Sequence, residues 1–209
     1  MKEKFIRLAL DNNVLKFGQF ILKSGRQSPY FFDAGLFYDG AALLEVGECY
    51  AQLLLDSHIP CHHLFGPAYK GLPLATATAI ALAKRGINVN VTFNRKETKV
   101  HGEGGMLIGA PLSGDIIIID DVITAGTAFR QSEHFITQEH ARVSTVVVAL
   151  DRCEPGSNAQ STLDEIKAKG IHVLSIVTVF DLIAYLETHQ ELESAKTLRD
   201  YVESIRRIV

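Results

Sequence analysis

Long apolar runs are missing from this chain of 209 residues, and no segment approaches the ~20 apolar residues a membrane-spanning helix needs. Cysteine is scarce. Cys49, Cys61 and Cys153 are odd in number and far apart, which fits neither a disulfide framework nor a zinc motif and suits a reducing compartment. Charge of one sign is also lacking: the formal net charge is -3, with no block of like charges. That argues against a protein that binds nucleic acid by neutralising phosphates. The N-terminal MKEKFIRLALDNN mixes charge into its apolar residues and holds no stretch long enough for a signal peptide, so a cytoplasmic protein without a membrane partner is expected. There is no internal repeat, no G-x-x-x-x-G-K-[ST] loop and no G-x-G-x-x-G fingerprint. Asn90-Val91-Thr92 matches a glycosylation sequon but lies in a strand-like run and is discounted.

What is present is a regular βα alternation in a length that suits one α/β domain. Residues 3–12 have helical apolar spacing. Val14 to Leu22 alternates as a strand and stops at Ser24-Gly25, and Ser28 to Phe32 is a second extended piece, so the two form a small antiparallel unit. Helices are expected over Ala41–Asp56, Gly71–Arg85, Ala125–His140 and Leu163–Lys169, two of them stopped by Gly86 and Gly170. Strands are expected over His62–Phe65, Asn88–Phe93, Asp115–Asp120, Val143–Leu150 and His172–Phe180, with Asp181 as the N-cap of a helical C-terminus. This order predicts a doubly wound, mostly parallel sheet. Asn94 to Gly105, NRKETKVHGEGG, stands apart. It has no apolar period and sets three cations, Arg95, Lys96 and Lys99, against Glu97 and Glu103, which reads as a disordered loop or a functional lid.

The densest signal is Ile116 to Thr127, IIIIDDVITAGT. A β-branched run buried on both faces ends in Asp120 and Asp121, then in the turn Thr124-Ala125-Gly126-Thr127 before a helix. The C-terminal end of such a strand is where open sheets bind ligands. The turn and helix N-terminus can cradle a phosphate, and the two acids suit vicinal ribose hydroxyls. Gly66-Pro67-Ala68-Tyr69-Lys70-Gly71 offers a second backbone cradle between strand and helix. Arg152, after the strand Val143 to Leu150, can hold a carboxylate bidentately. Singly, the Gly/Pro segment also reads as an ordinary turn, the charged loop as solvated surface, and Phe31 and Phe32 as core.

In combination, LKSGRQSPYFF, LFGPAYKG, FNRKETKVHGEGG, DDVITAGTA and LDR resemble the orotate phosphoribosyltransferases of the bacterial type, from about residue 14 to about 185. The resemblance implies a type I phosphoribosyltransferase fold: one domain over 1–209, with a small N-terminal hood (about 1–38) and a flexible catalytic lid (about 94–105). It implies transfer of the phosphoribosyl group of phosphoribosyl pyrophosphate (PRPP) to orotate, giving orotidine 5′-phosphate and diphosphate. Asp120 and Asp121 would meet the ribose, and Val122, Ile123, Thr124, Ala125, Gly126, Thr127 and Ala128 would complete the PRPP loop. Tyr69 and Lys70 would line the diphosphate site. Arg95, Lys96, Lys99 and His101 would clamp diphosphate. Lys23 would lie near both substrates, Phe31 and Phe32 would bracket the pyrimidine, Thr124 would also reach the base, and Arg152 would bind the orotate carboxylate. Lys70, Lys99, His101, Asp120 and Asp121 would be the catalytic group. Mg2+ would be held mainly by substrate oxygens, with no dedicated protein ligands. A homodimer is implied, each lid closing over the neighbour's site. Val100 and Asp33 depart from the family pattern, at a commonly acidic lid position and at a frequent asparagine. The rivals are a phosphoribosyltransferase for another base, a regulator that binds the donor without catalysis, and one half of a UMP synthase.

Overall fold

The computed structural model describes residues 1–22, 25–99, 105–154 and 161–207, with the backbone only at 98–99 and 206–207. In order the elements are α1 (Lys2–Asp11), β1 (Leu15–Ile21), β2 (Gln27–Phe32), a 3-10 turn (Ala34–Leu36), α2 (Gly40–Asp56), β3 (His63–Gly66), α3 (Gly71–Ala83), β4 (Asn90–Lys99) and β5 (Gly105–Gly109). They continue with β6 (Asp115–Asp120), α4 (Thr127–Gln138), β7 (Arg142–Asp151), α5 (Thr162–Ala168), β8 (His172–Thr178), α6 (Val179–Thr188) and α7 (Leu192–Arg207).

Six strands form the main sheet in the order β5-β4-β3-β6-β7-β8, and β1 and β2 pair antiparallel in a separate sheet. All neighbours in the main sheet run parallel except β5, which returns antiparallel to β4. The isoleucines of β6 explain why this strand is central. Ile117 and Ile119 join the apolar cluster that contains residues of α1, α2, α3, α6 and α7. Ile116 and Ile118 face the other cluster, with Phe129 and Ile136 of α4 and Leu163 and Ile166 of α5. Alternate side chains of one strand thus fill opposite layers, the condition for a doubly wound sheet.

Three expectations need correction. Asn94 to Lys99 is strand, the outer half of β4, and pairing resumes at Gly105. It is built of polar and charged residues, so no apolar period reveals it. The last strand ends at Thr178, and Val179 and Phe180 already belong to α6. Asp181 is not the N-cap of that helix. Thr178 is, and Asp181 sits three residues on, its carboxylate accepting from the Thr178 backbone N–H in a capping box. Lys23, Val100 and His101 lie outside the described residues.

Candidate active site

β3 and β6 are adjacent, yet the chain leaves them in opposite directions: β3 leads outward to β4, and β6 to β7. Their C-terminal ends therefore open a crevice at the point where strand order reverses, where doubly wound sheets bind ligands. The loops after these two strands are the ones singled out in the sequence.

After β6, Asp120 and Asp121 are buried, while Thr124, Ala125, Thr127 and Ala128 are exposed. Asp121 Oδ1 accepts from Val122 N at 2.8 Å, and Asp120 Oδ1 accepts from Asp121 N at 2.9 Å. Gly126 sits at φ 72° as the N-cap of α4, and a Cβ there would meet Thr162 Cγ2 at 2.5 Å. Glycine is required on both counts. It has no side chain to cap the helix, so the first-turn N–H groups are left for an anion. Thr162 braces the loop by donating to Thr124 O at 2.6 Å, and the Arg130 guanidinium donates to Ala125 O.

After β3, the turn lies hard against the sheet. A Cβ on Gly71 would come within 2.8 Å of Ile119 O, and one on Gly66 within 2.5 Å of Gly71 O. The Ala68–Tyr69 peptide is cis, Ala68 N donates to Asn94 Oδ1 at 2.9 Å, and Tyr69 is 65% exposed. Lys96 lies over the Tyr69 ring, 4.5 Å from its centroid, which joins the β4 arm to this turn. Arg95 donates to Gly105 O at 2.9 Å and ties β4 to β5. Lys99 closes β4.

Lys70 links the two loops. Its Nζ is 2.9 Å from Asp121 Oδ2 and 3.0 Å from Asp33 Oδ1. Partial burial works against the ammonium, but Asp121 and then Asp33 outweigh it and raise the Lys70 pKa. The reverse holds for Asp33: burial is outweighed by Lys70, and its carboxyl is lowered. Burial first, and then the neighbouring Asp121 charge, push Asp120 up to about 7. Tyr50, from α2, fixes the strand end by donating to Asp120 O at 2.7 Å.

The two phenylalanines do not bracket one space with their rings. Phe31 is 37% exposed and stacks on Phe20 at 5.5 Å, whereas Phe32 points the other way into the core against Phe5. Adjacent strand residues face opposite sides. Arg152 is buried and already holds a carboxylate: its Nη2 is 2.6 Å from Glu154 Oε1, and Nε donates to the same oxygen at 2.9 Å. Ser28 Oγ takes a further bond from Nη2 at 3.1 Å, and the guanidinium lies 4.1 Å from the Tyr30 ring centroid. Glu154 also meets Arg26 at 3.0 Å and the Tyr201 hydroxyl, from α7, at 2.9 Å. Burial works against the Arg152 charge, but Tyr30 and Glu154 raise its pKa. Tyr50, Arg130, Glu154, Thr162 and Tyr201 carry no local motif and were not legible as parts of the site.

No protein-family model matches the chain. It is 57% identical over 202 residues to an orotate phosphoribosyltransferase of Legionella pneumophila (strain Paris), covering 97% of this chain and 96% of that one. With an orotate phosphoribosyltransferase of Proteus mirabilis (strain HI4320) it shares 54% over 192 residues, covering 91% and 90%. Among solved structures, the orotate phosphoribosyltransferase of Francisella tularensis superposes with a TM-score of 0.86 at 39% identity, covering 96% and 98%. Identity at this level over nearly the whole of each chain, on a type I phosphoribosyltransferase fold, is decisive: the chain belongs to the orotate phosphoribosyltransferase family.

Proposed function

We propose how the described residues carry out the family's reaction, which is the reaction of this chain: PRPP and orotate give orotidine 5′-phosphate and diphosphate in pyrimidine biosynthesis. The observation that carries the assignment is the pair of cradles at the β3–β6 switch point, joined by Lys70. The exposed Thr124–Ala128 turn takes the 5′-phosphate on its backbone N–H groups. Asp120 and Asp121 take the ribose hydroxyls. Tyr69 and Lys70 face the diphosphate, with Arg95 and Lys96 on the β4 arm, and the same clamping role is assigned to Lys99 and His101.

At the other end, Phe31 offers a ring face to the pyrimidine, while Phe32 supports β2 from the core. Arg152 addresses the orotate carboxylate through Nη1, since Glu154 and Ser28 use Nε and Nη2. A role toward both substrates is assigned to Lys23, and Thr124 reaches toward the base. Loss of diphosphate leaves an oxocarbenium-like ribosyl centre, so catalysis rests on stabilising the departing charge and excluding water. No nucleophilic side chain is needed.

Mg2+ suits this donor set. Among the described residues no three His, Cys, Asp or Glu side chains gather into a cage, and two carboxylates stand side by side at the loop. An ion held mainly by diphosphate and ribose oxygens, with Asp120 and Asp121 nearby, fits that arrangement. When bound it neutralises charge on the leaving group.

The working unit is a homodimer whose lids serve the neighbouring sites. Supporting it is α3, which carries no charged residue around its circumference, yet leaves Pro73, Thr76, Ile80 and Ala83 exposed. A helix apolar all round is ordinarily covered. The protein is assigned to the cytoplasm, the place of the soluble pathway to which its reaction belongs.

The test follows orotate absorbance with PRPP and Mg2+. Loss that needs all three and collapses in Lys99→Ala is expected. Turnover of a purine instead of orotate would overturn the base assignment.

A further inference from the structure

Asp33 stands at the end of β2, on the same small unit that carries Phe31, yet its carboxylate reaches the diphosphate cradle after β3. Asp33 Oδ1 lies 3.0 Å from Lys70 Nζ, and the same oxygen accepts from Gly35 N at 3.1 Å. The backbone bond holds the carboxylate in place whether or not Lys70 is there. Asp121, the second partner of Lys70, is also fixed, by Val122 N. With both acids anchored, the flexible four-carbon stem of Lys70 is the part that moves. Without ligand, the Lys70 ammonium is shared between two carboxylates where a polyanion has to enter.

We propose that Asp33 is a positioning residue for the diphosphate end of the site: it holds Lys70 away from the incoming diphosphate, so donor and product bind only as Lys70 exchanges Asp33 for phosphate oxygens. The proposal rests on the assignment of Lys70 to the diphosphate. Its consequence is that Asp33 weakens donor binding and hastens diphosphate release in equal measure, since both ligands need the same exchange. The pair is partly exposed, with Lys70 at 43% and Asp33 at 32% side-chain exposure, so the effect is modest.

Asp33→Asn removes the charge and keeps an oxygen for Gly35 N. Asp33→Ser, which keeps a shorter acceptor, is a second uncharged variant. Magnesium diphosphate and PRPP are titrated separately into each full-length variant by calorimetry, with KM for orotate measured alongside. Both phosphate ligands are expected to bind about two- to fivefold tighter in the uncharged variants, with orotate KM unchanged. The gain is expected to vanish in a Lys70→Ala background. Unchanged or weaker diphosphate binding overturns the proposal, as does a gain that persists with alanine at 70, or a change confined to orotate KM. If Lys70→Ala alone leaves diphosphate binding untouched, the assignment of Lys70 falls and the proposal falls with it. If Lys70→Ala weakens binding while the Asp33 variants do not strengthen it, only the proposal falls.

Discussion

Asp120 carries the sharpest conflict between folding and function. Burial and the adjacent Asp121 raise its carboxyl to about 7. A raised acid pKa means that the folded state binds a proton the unfolded chain has released. Its stabilising contribution is therefore whole below the unfolded value near ~3.9 and is lost as pH rises through 7. Asp120→Asn removes the penalty and keeps Oδ1 as acceptor for Asp121 N. In denaturant melts this variant is expected to exceed the wild type by on the order of 2 kcal/mol near pH 8, with the advantage shrinking toward about pH 4. Orotate turnover is expected to fall. An advantage independent of pH would show that the buried charge is not its source. The acid pair was legible because it is contiguous and ends an unmistakable strand. The Lys70–Asp33 contact was not, because neither neighbourhood in sequence announces a partner on another element.

At the scale of elements, α7 shows how a helix remote from the switch point enters the site. Its Tyr201 hydroxyl and Arg26 hold Glu154, which holds Arg152. Tyr201→Phe removes one of the three donors to Glu154 Oε1, a largely buried oxygen, and leaves it to Arg152 alone. A hydrogen bond to a charged group contributes about 1–2 kcal/mol, so orotate KM is expected to rise about fivefold or more, with PRPP KM unchanged. Equal changes in both constants would assign Tyr201 to general stability instead. The βα units were legible because apolar period, glycine stops and strand composition agreed. β5 escaped notice because GMLIG is short and begins and ends in glycine, and the outer half of β4 because it is polar and charged with no apolar period. The N-cap at Thr178 escaped because that threonine is also the last residue of β8, and the acid of a capping box then looks like the cap.

For the whole molecule, topology was legible in outline: strand–helix alternation requires a parallel sheet, but nothing local fixes which strands are neighbours. The proposed exchange of lids makes a prediction at this scale. Lys70→Ala and Lys99→Ala, each inactive alone, are expected to regain a measurable part of wild-type turnover when refolded together, because a mixed dimer contains one site with both lysines. Verified mixed dimers without recovery would place each lid over its own site. Ile80→Glu, on the uncharged outer face of α3, is expected to yield monomers by sedimentation and to lose activity with them. The register between β3 and β6 has a further consequence. Leu64 pairs with Ile117 and Phe65 with Ile118, so the two cradles grow from hydrogen-bonded neighbours about 4.8 Å apart. On the proposed assignment one cradle takes each end of the donor. The sheet then serves as a ruler: loops can trim the fit, but a sugar whose two phosphoryl groups are spaced differently can satisfy one end only, and its length is judged by a backbone dimension that no side-chain substitution can change.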